Sequence, residues 1–161
     1  MKATVDSGAF FKALNRVIPL LRVSAIPALS EASIQFHDGV CTITATDLEL
    51  WVQTDIPAVG DDFGVVLSGT KSIAKAGKFF RGPLTFSCAD MAVSSPQITM
   101  ACADKSAEFT GHPLRDYPEL PRFTCEQAYT ANAAQLLTCI GRIKYAAQRR
   151  SDSRPVMSGV R

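Results

Sequence analysis

The chain has 161 residues, 47% hydrophobic and 20% charged, with 17 Lys and Arg against 15 Asp and Glu for a formal net charge of +2. This length holds one domain with its own core plus part of another. So mild a balance excludes bulk charge as the basis of a nucleic-acid site, which has to come from arrangement instead. The five cysteines (Cys41, Cys88, Cys102, Cys125 and Cys139) are odd in number and scattered without a C-x-x-C pair, which argues against a disulfide scaffold or zinc site and for a reducing, cytoplasmic setting.

Met1-Lys2 leads straight into a short strand, Lys2 to Val5. The opening shows no cationic and apolar leader pattern, and no apolar run is long enough to cross a bilayer, so neither a targeting segment nor a membrane partner is expected. The spacing predicts a helix over Gly8 to Arg22: Phe10, Phe11, Leu14, Val17, Ile18 and Leu21 recur at three- and four-residue intervals, Asp6 or Ser7 is placed to cap it, and Lys12, Asn15 and Arg16 fall on the other side. Strands follow at Ala32 to His37 and Val40 to Thr46, joined by Asp38-Gly39, a two-residue hairpin signal. Leu50 to Ile56 and Phe63 to Ser68 continue the meander.

A second helix is predicted over Thr70 to Arg81, with Lys71, Lys75 and Lys78 at i, i+4 and i+7 in one stripe while Ile73 and Ala76 point away. Leu84 to Cys88, Gln97 to Cys102 and Ala107 to Thr110 read as further strands. His112 to Pro121 holds three prolines in ten residues and reads as an interdomain connector. Beyond it the opening pattern restarts, with a short strand near Ala128 to Thr130 and a third helix over Ala131 to Arg150. Leu136, Leu137, Ile140 and Ile143 form its apolar face, and Arg142, Arg149 and Arg150 lie toward its C-terminal end. Pro155 to Val160 begins to look like one more strand, so the second unit is expected to be incomplete. The expected class is α+β, with helices on one side of antiparallel sheets and an internal repeat of strand, helix and strands. The expected domains are 1–111, a connector at 112–122, and the start of a second domain at 123–161.

Charge divides with these elements. None of the fifteen acids falls inside the three predicted helices, whereas eleven of the seventeen Lys and Arg do. Solvated helix faces ordinarily mix both signs, because opposite charges at i, i+4 support the helix. Three acid-free helices point to a polyanion. Catalytic patterns are thin by comparison. His37 beside a turn and His112 beside a proline read as structural, Asp61-Asp62 reads as a solvated turn, and no phosphate-cradling G-x-x-x-x-G-K or G-x-S-x-G elbow occurs. No enzyme activity, catalytic residue, metal or cofactor is expected.

Thr44-Ala45-Thr46-Asp47-Leu48-Glu49-Leu50, following the Asp-Gly hairpin, resembles the T-x-T-D-L-E signature in the first domain of the bacterial sliding clamp family, the beta subunit of DNA polymerase III. Other landmarks agree in order. Met1 to Val5 resembles that family's first strand, Ile26-Pro27 its loop after the first helix, Asp116-Tyr117-Pro118 its D-[FY]-P connector, and Ser151 to Val160 its S-x-D-x-R-P-V-L-x-G-[VI] segment.

The resemblance implies a DNA-clamp fold: similar domains arranged as a two-subunit ring, helices toward a central hole that holds duplex DNA, sheets outside. It implies a non-catalytic processivity factor that tethers the replicative polymerase, with duplex DNA, the polymerase III catalytic subunit, the clamp loader and a second copy as partners of the full-length form. Lys71 matches a basic position on the pore side of the second helix, and Arg22 lies within one residue of the basic residue before the x-P loop. With Lys12, Arg16, Lys75 and Lys78 from the charge pattern, and Arg149 and Arg150 where relatives carry polar DNA contacts, these make up the expected DNA-binding set. Arg154 and Met157 match the rim of a pocket for partner peptides, and Ala107, Glu108 and Phe109 match the edge strand that meets the partner subunit. A second reading stands beside this one: a stand-alone clamp-like protein that docks on a full clamp or another partner through an edge strand without encircling DNA. The third is an enzyme whose site carries none of the signatures above.

Overall fold

The computed structural model describes residues 1–22, 26–120 and 128–146. The chain divides into two compact units, Met1–Leu120 and Pro121–Arg161.

In the first unit eight antiparallel strands run in the order β1 (Lys2–Asp6), β2 (Ala32–His37), β3 (Val40–Thr46), β4 (Trp51–Gly60), β5 (Phe63–Leu67), β6 (Pro83–Cys88), β7 (Gln97–Cys102) and β8 (Lys105–Pro113). They close on themselves in the spatial order β1-β4-β3-β2-β5-β8-β7-β6. Two short seams complete the ring. At one, Ala3, Thr4 and Val5 of β1 pair with the last residues of β4, Gly60, Val59 and Ala58. At the other, Val65, Val66 and Leu67 of β5 pair with Pro113, His112 and Gly111.

The Asp38-Gly39 turn behaves as its residue types dictate. Both residues have positive φ, 48° and 76°, the backbone of the two-residue hairpin turn that matches strand twist. The Thr-Asp-Leu-Glu segment is also a turn built by its side chains. Thr46 Oγ1 accepts from Leu48 N, and Asp47 Oδ1 accepts from Glu49 N and Leu50 N, which holds Leu48 at φ 73°. Side chains point alternately in and out along the strands. Ile34 and Phe36, Cys41, Ile43 and Ala45, Leu84 and Phe86, and Ile98 and Met100 all enter one core.

Helix α1 (Ser7–Val17) lays Phe10, Phe11, Leu14 and Val17 against that core, across β3 and β4. Its predicted extension to Arg22 is shorter: Pro19, with no N–H to donate and a ring that clashes with the preceding turn, converts Ile18–Leu20 to a 3-10 turn. Helix α2 (Thr70–Ala76) is likewise shorter than predicted and passes into a 3-10 turn at Gly77–Phe79. In the second unit, α3 (Ala133–Ile143) is capped by Asn132, whose side chain accepts from Ala134 N and Gln135 N, and ends in a 3-10 turn at Lys144–Ala146.

The two long helices repeat one design. Each has 11 residues followed by a three-residue 3-10 turn. Counted from the caps Asp6 and Asn132, Phe10, Phe11, Leu14 and Val17 fall at the same offsets as Leu136, Leu137, Ile140 and Ile143, and Arg16 shares its offset with Arg142. That register is the residue-level form of the internal repeat.

The segment expected to start the connector belongs largely to the first unit. His112 and Pro113 pair with β5, because Pro113 sits at the last position of the ladder, where a missing donor costs least. Tyr117 is then buried with Ala28 and Val66, and its hydroxyl donates to the carbonyls of Glu31 (3.3 Å) and Thr44 (3.2 Å). Burial pushes that phenol up to about 12. Two of the motifs that suggested the clamp family, Thr-x-Thr-Asp and Asp-Tyr-Pro, therefore meet in space.

Asp61 and Asp62 do separate jobs. Asp61 Oδ2 accepts from Lys2 N, and Asp62 Oδ2 lies 2.7 Å from His37 Nδ1. Asp38 Oδ2 is 3.3 Å from the other ring nitrogen. The hydrogen bond to Asp62, then the charges of Asp38 and Asp62, raise the His37 pKa above its ordinary 6.5. Because the folded value is the higher one, the cluster's stabilising effect is complete below pH 6.5 and is lost as pH climbs through the raised value. A pH series of thermal midpoints is expected to show this decline in the wild type and a flatter profile in Asp62→Asn; identical profiles would remove His37 from the account.

Candidate nucleic-acid interface

The geometry of the basic face begins with what fixes its helices. Asp6 Oδ2 accepts from Ala9 N at 2.7 Å, capping α1, and Ser7 N donates to the carbonyl of Gly82. Thr70, fully buried, starts α2 with three bonds: its N–H donates to Glu31 Oε2 (2.7 Å), its hydroxyl donates to Leu67 O (2.8 Å), and the same oxygen accepts from Ala32 N (2.9 Å). Lys71 is the next residue, so its backbone is set by the sheet. Glu31 is the acid that the helix itself lacks, supplied from outside to the N-terminal amide.

The two helices then approach closely at Gly77. A Cβ there would meet the ring of Phe11 at 2.6 Å, so glycine lets the end of α2 lie against α1. Ile73 and Phe80 turn into the core, while Lys71, Lys75 and Lys78 stay exposed. On α1, Lys12, Asn15 and Arg16 are the exposed stripe opposite Phe10, Leu14 and Val17. Asn15 of α1, Ile18 of the 3-10 turn after it, and Lys71, Ala74 and Lys75 of α2 line one groove. The stripes of both helices therefore border a common surface.

Among the described residues, ion pairs occur only at His37 with Asp38 and Asp62, and at Arg115 with Asp116. Lys12, Arg16, Lys71, Lys75 and Lys78 form none, so their charge is not neutralised internally. Lys78 sits beyond the α-helical part of the stripe, with Nζ 5.0 Å from the centroid of the Phe79 ring. Arg22 is exposed after the 3-10 turn of α1. Arg149, Arg150, Arg154 and Met157 lie outside the described residues.

β8 pairs with β7 from Lys105 to Thr110, whereas its ladder with β5 begins only at Gly111. Among the described residues, no strand pairs with the other flank of Ala107, Glu108 and Phe109. Of these three, Ala107 and Phe109 pack against the main core, Phe109 half-buried, and Glu108 between them is exposed. Two residues escaped the sequence reading. Phe79, 56% exposed, stands at the end of the lysine stripe, and Lys105 reaches it from β8, donating from Nζ to the Phe79 carbonyl at 3.1 Å. The Phe79-Phe80 doublet was a visible signal for the first; the sequence separation of 26 between Phe79 and Lys105 hid the second.

Among the described residues, His37, Asp38 and Asp62 bring ligand atoms within 4.8 Å of one another, and all three are exposed. A hollow of about 740 Å³ lies over Ser33, Gln35, Thr42 and Thr44, and the histidine that lines it, His37, is hydrogen-bonded to the Asp62 carboxylate, with Asp38 3.3 Å from its other ring nitrogen. Burial, and to a lesser extent Asp55, push the Cys41 thiol up to about 12, which leaves it protonated at neutral pH. Nor is any described helix long and apolar enough to cross a membrane.

No family model and no curated protein matches the sequence. Solved structures do match. A DNA polymerase III beta subunit from Pseudomonas aeruginosa is 15% identical with a TM-score of 0.87, over 99% of this chain and 43% of its own. A putative beta subunit from Eubacterium rectale is 16% identical with a TM-score of 0.87, over 98% and 42%. The DNA polymerase sliding clamp of Bacillus subtilis is 17% identical with a TM-score of 0.86, over 97% and 42%. The fold is that of part of a bacterial sliding clamp, and the chain spans about two fifths of the length of the clamps it matches.

Proposed function

We propose that a chain with this fold works as the DNA-facing part of a processivity clamp, holding duplex DNA by its phosphates without reading sequence. The observation that carries the reading is the groove lined by Asn15, Lys71 and Lys75, with Lys12 and Arg16 on the same exposed stripe of α1 as Asn15 and with no carboxylate paired to any of these cations among the described residues. Lysine and arginine on a fixed helix face supply charge to a regular phosphate backbone. In a full-length ring such a chain would encircle duplex DNA and tether the polymerase III catalytic subunit, loaded by the clamp loader and closed by a second copy. No catalysis is assigned to it.

Binding to duplex DNA is expected to be weak, indifferent to sequence and steeply salt-dependent, as measured by anisotropy with one duplex and its scrambled version across a salt series. A preference for one sequence over the other would defeat the reading. The open flank of β8 at Ala107 to Phe109 favours a second reading, in which the chain docks on a full clamp or another partner through that edge and leaves DNA alone. Sedimentation of the chain with and without a full-length clamp separates the two: a salt-insensitive complex, with no duplex binding at low salt, supports docking.

A further inference from the structure

Beyond the phosphate contacts of the duplex reading, on which this inference rests, we propose that Phe79 and the cations around it form a subsite for an unpaired nucleobase of single-stranded DNA, as at a primer-template junction. Phe79 is 56% exposed, the exposed phenylalanine among the described residues, although its neighbour Phe80 is buried at 4%. The ring is placed by structure rather than left loose: the 3-10 turn Gly77–Phe79 ends α2, Phe80 anchors the following backbone in the core beside Phe11, and Lys105 Nζ holds the Phe79 carbonyl at 3.1 Å.

Lys78 Nζ lies 5.0 Å from the ring centroid, Lys75 is one turn back on α2, Arg81 follows two residues later, and Lys105 comes from β8. Asp104 is the acid nearest in sequence to Lys105, and none of these four cations pairs with a carboxylate among the described residues. A flat apolar ring beside ammonium and guanidinium groups that carry no carboxylate partner among the described residues is the combination that binds single strands: the cations follow the backbone, and the ring stacks on a base whatever its identity. Duplex DNA cannot use the ring, because its bases are already stacked. The site therefore distinguishes an unpaired strand from a duplex on one continuous basic face.

The test uses the whole chain with three labelled DNAs of equal length: an oligothymidine strand, a blunt duplex, and a duplex with a single-stranded extension. Phe79→Ala is expected to weaken binding of the strand and the extended duplex about five- to hundredfold, the worth of one stacked base, and to leave the blunt duplex unchanged. Phe79→Trp should restore or exceed wild-type affinity. An exposed ring can be removed without unfolding, and the circular-dichroism melting midpoint of Phe79→Ala verifies it. Equal losses on all three DNAs, no loss on any, no binding of the single strand by the wild type at low salt, or a change only in self-association would each overturn the proposal. Failure of the duplex reading shows separately, as blunt-duplex binding that ignores salt and Lys71.

Discussion

Replacing Lys71 and Lys75 together by Ala is expected to flatten the slope of log K against log salt for duplex binding by about 1.8, from a contribution of about 0.9 per phosphate contact. Both side chains are exposed on α2, and both border the groove shared with Asn15 and Ile18, so a phosphate placed there meets both. Alanine is at least as good a helix former as lysine, and neither lysine holds a partner within the fold, so the substitution removes charge and little else. An unchanged slope would take these lysines off the DNA. A lowered melting midpoint would instead show that they support the fold.

Gly60→Ala is expected to destabilise the first unit by about 3 kcal/mol or more, the largest effect of a Gly→Ala change among the described glycines. Gly60 stands at the seam where β4 closes on β1, opposite Ala3, with φ at 139°, a backbone conformation that residues with a Cβ rarely adopt. An added Cβ would run into the carbonyl of Lys2 and the Cα of Ala3, backbone atoms held by pairing on both sides of β1. Gly111 closes the other seam, opposite Leu67, and a Cβ there would strike the Val65 side chain. A side chain can turn away, so Gly111→Ala should cost less, about 1–3 kcal/mol. Gly69→Ala is the control: its φ is 77° but the space beside it is open, so only about 1 kcal/mol is expected. Urea unfolding followed by the single tryptophan, Trp51 at the start of β4, reads all three. Equal costs for Gly60→Ala and Gly69→Ala would mean that the seam tolerates a side chain.

How far the residues foretold this depends on the range of the interaction. Elements set by local chemistry were legible. β2, β3 and β7 run from the first to the last residue that alternation and the Asp38-Gly39 signal predicted. Where a helix ended early, at Pro19, the reason was also local, because a proline acts on the turn that precedes it. The acid-free helices were a matter of counting, and the resemblance carried by Thr44 to Leu50 and Asp116 to Pro118 named the fold that the solved clamps share.

What stayed hidden were pairings between distant residues. Closure of eight strands into a ring rests on Ala3 opposite Gly60 and Leu67 opposite Gly111, and a strand's periodicity says which face is apolar but not which strand lies beside it. The inward turn of Phe109, the Glu31 carboxylate on the first amide of α2, and the reach of Lys105 to Phe79 have the same origin. Sequence alone determined the elements, the sign of charge on each and the turn chemistry between them, because these depend on neighbours a few residues away. Tertiary structure alone decided which cations share a surface and which aromatic ring stands among them, because burial is collective: the core takes Phe10, Phe11, Phe80 and Phe109 against its strands and leaves Phe79 outside.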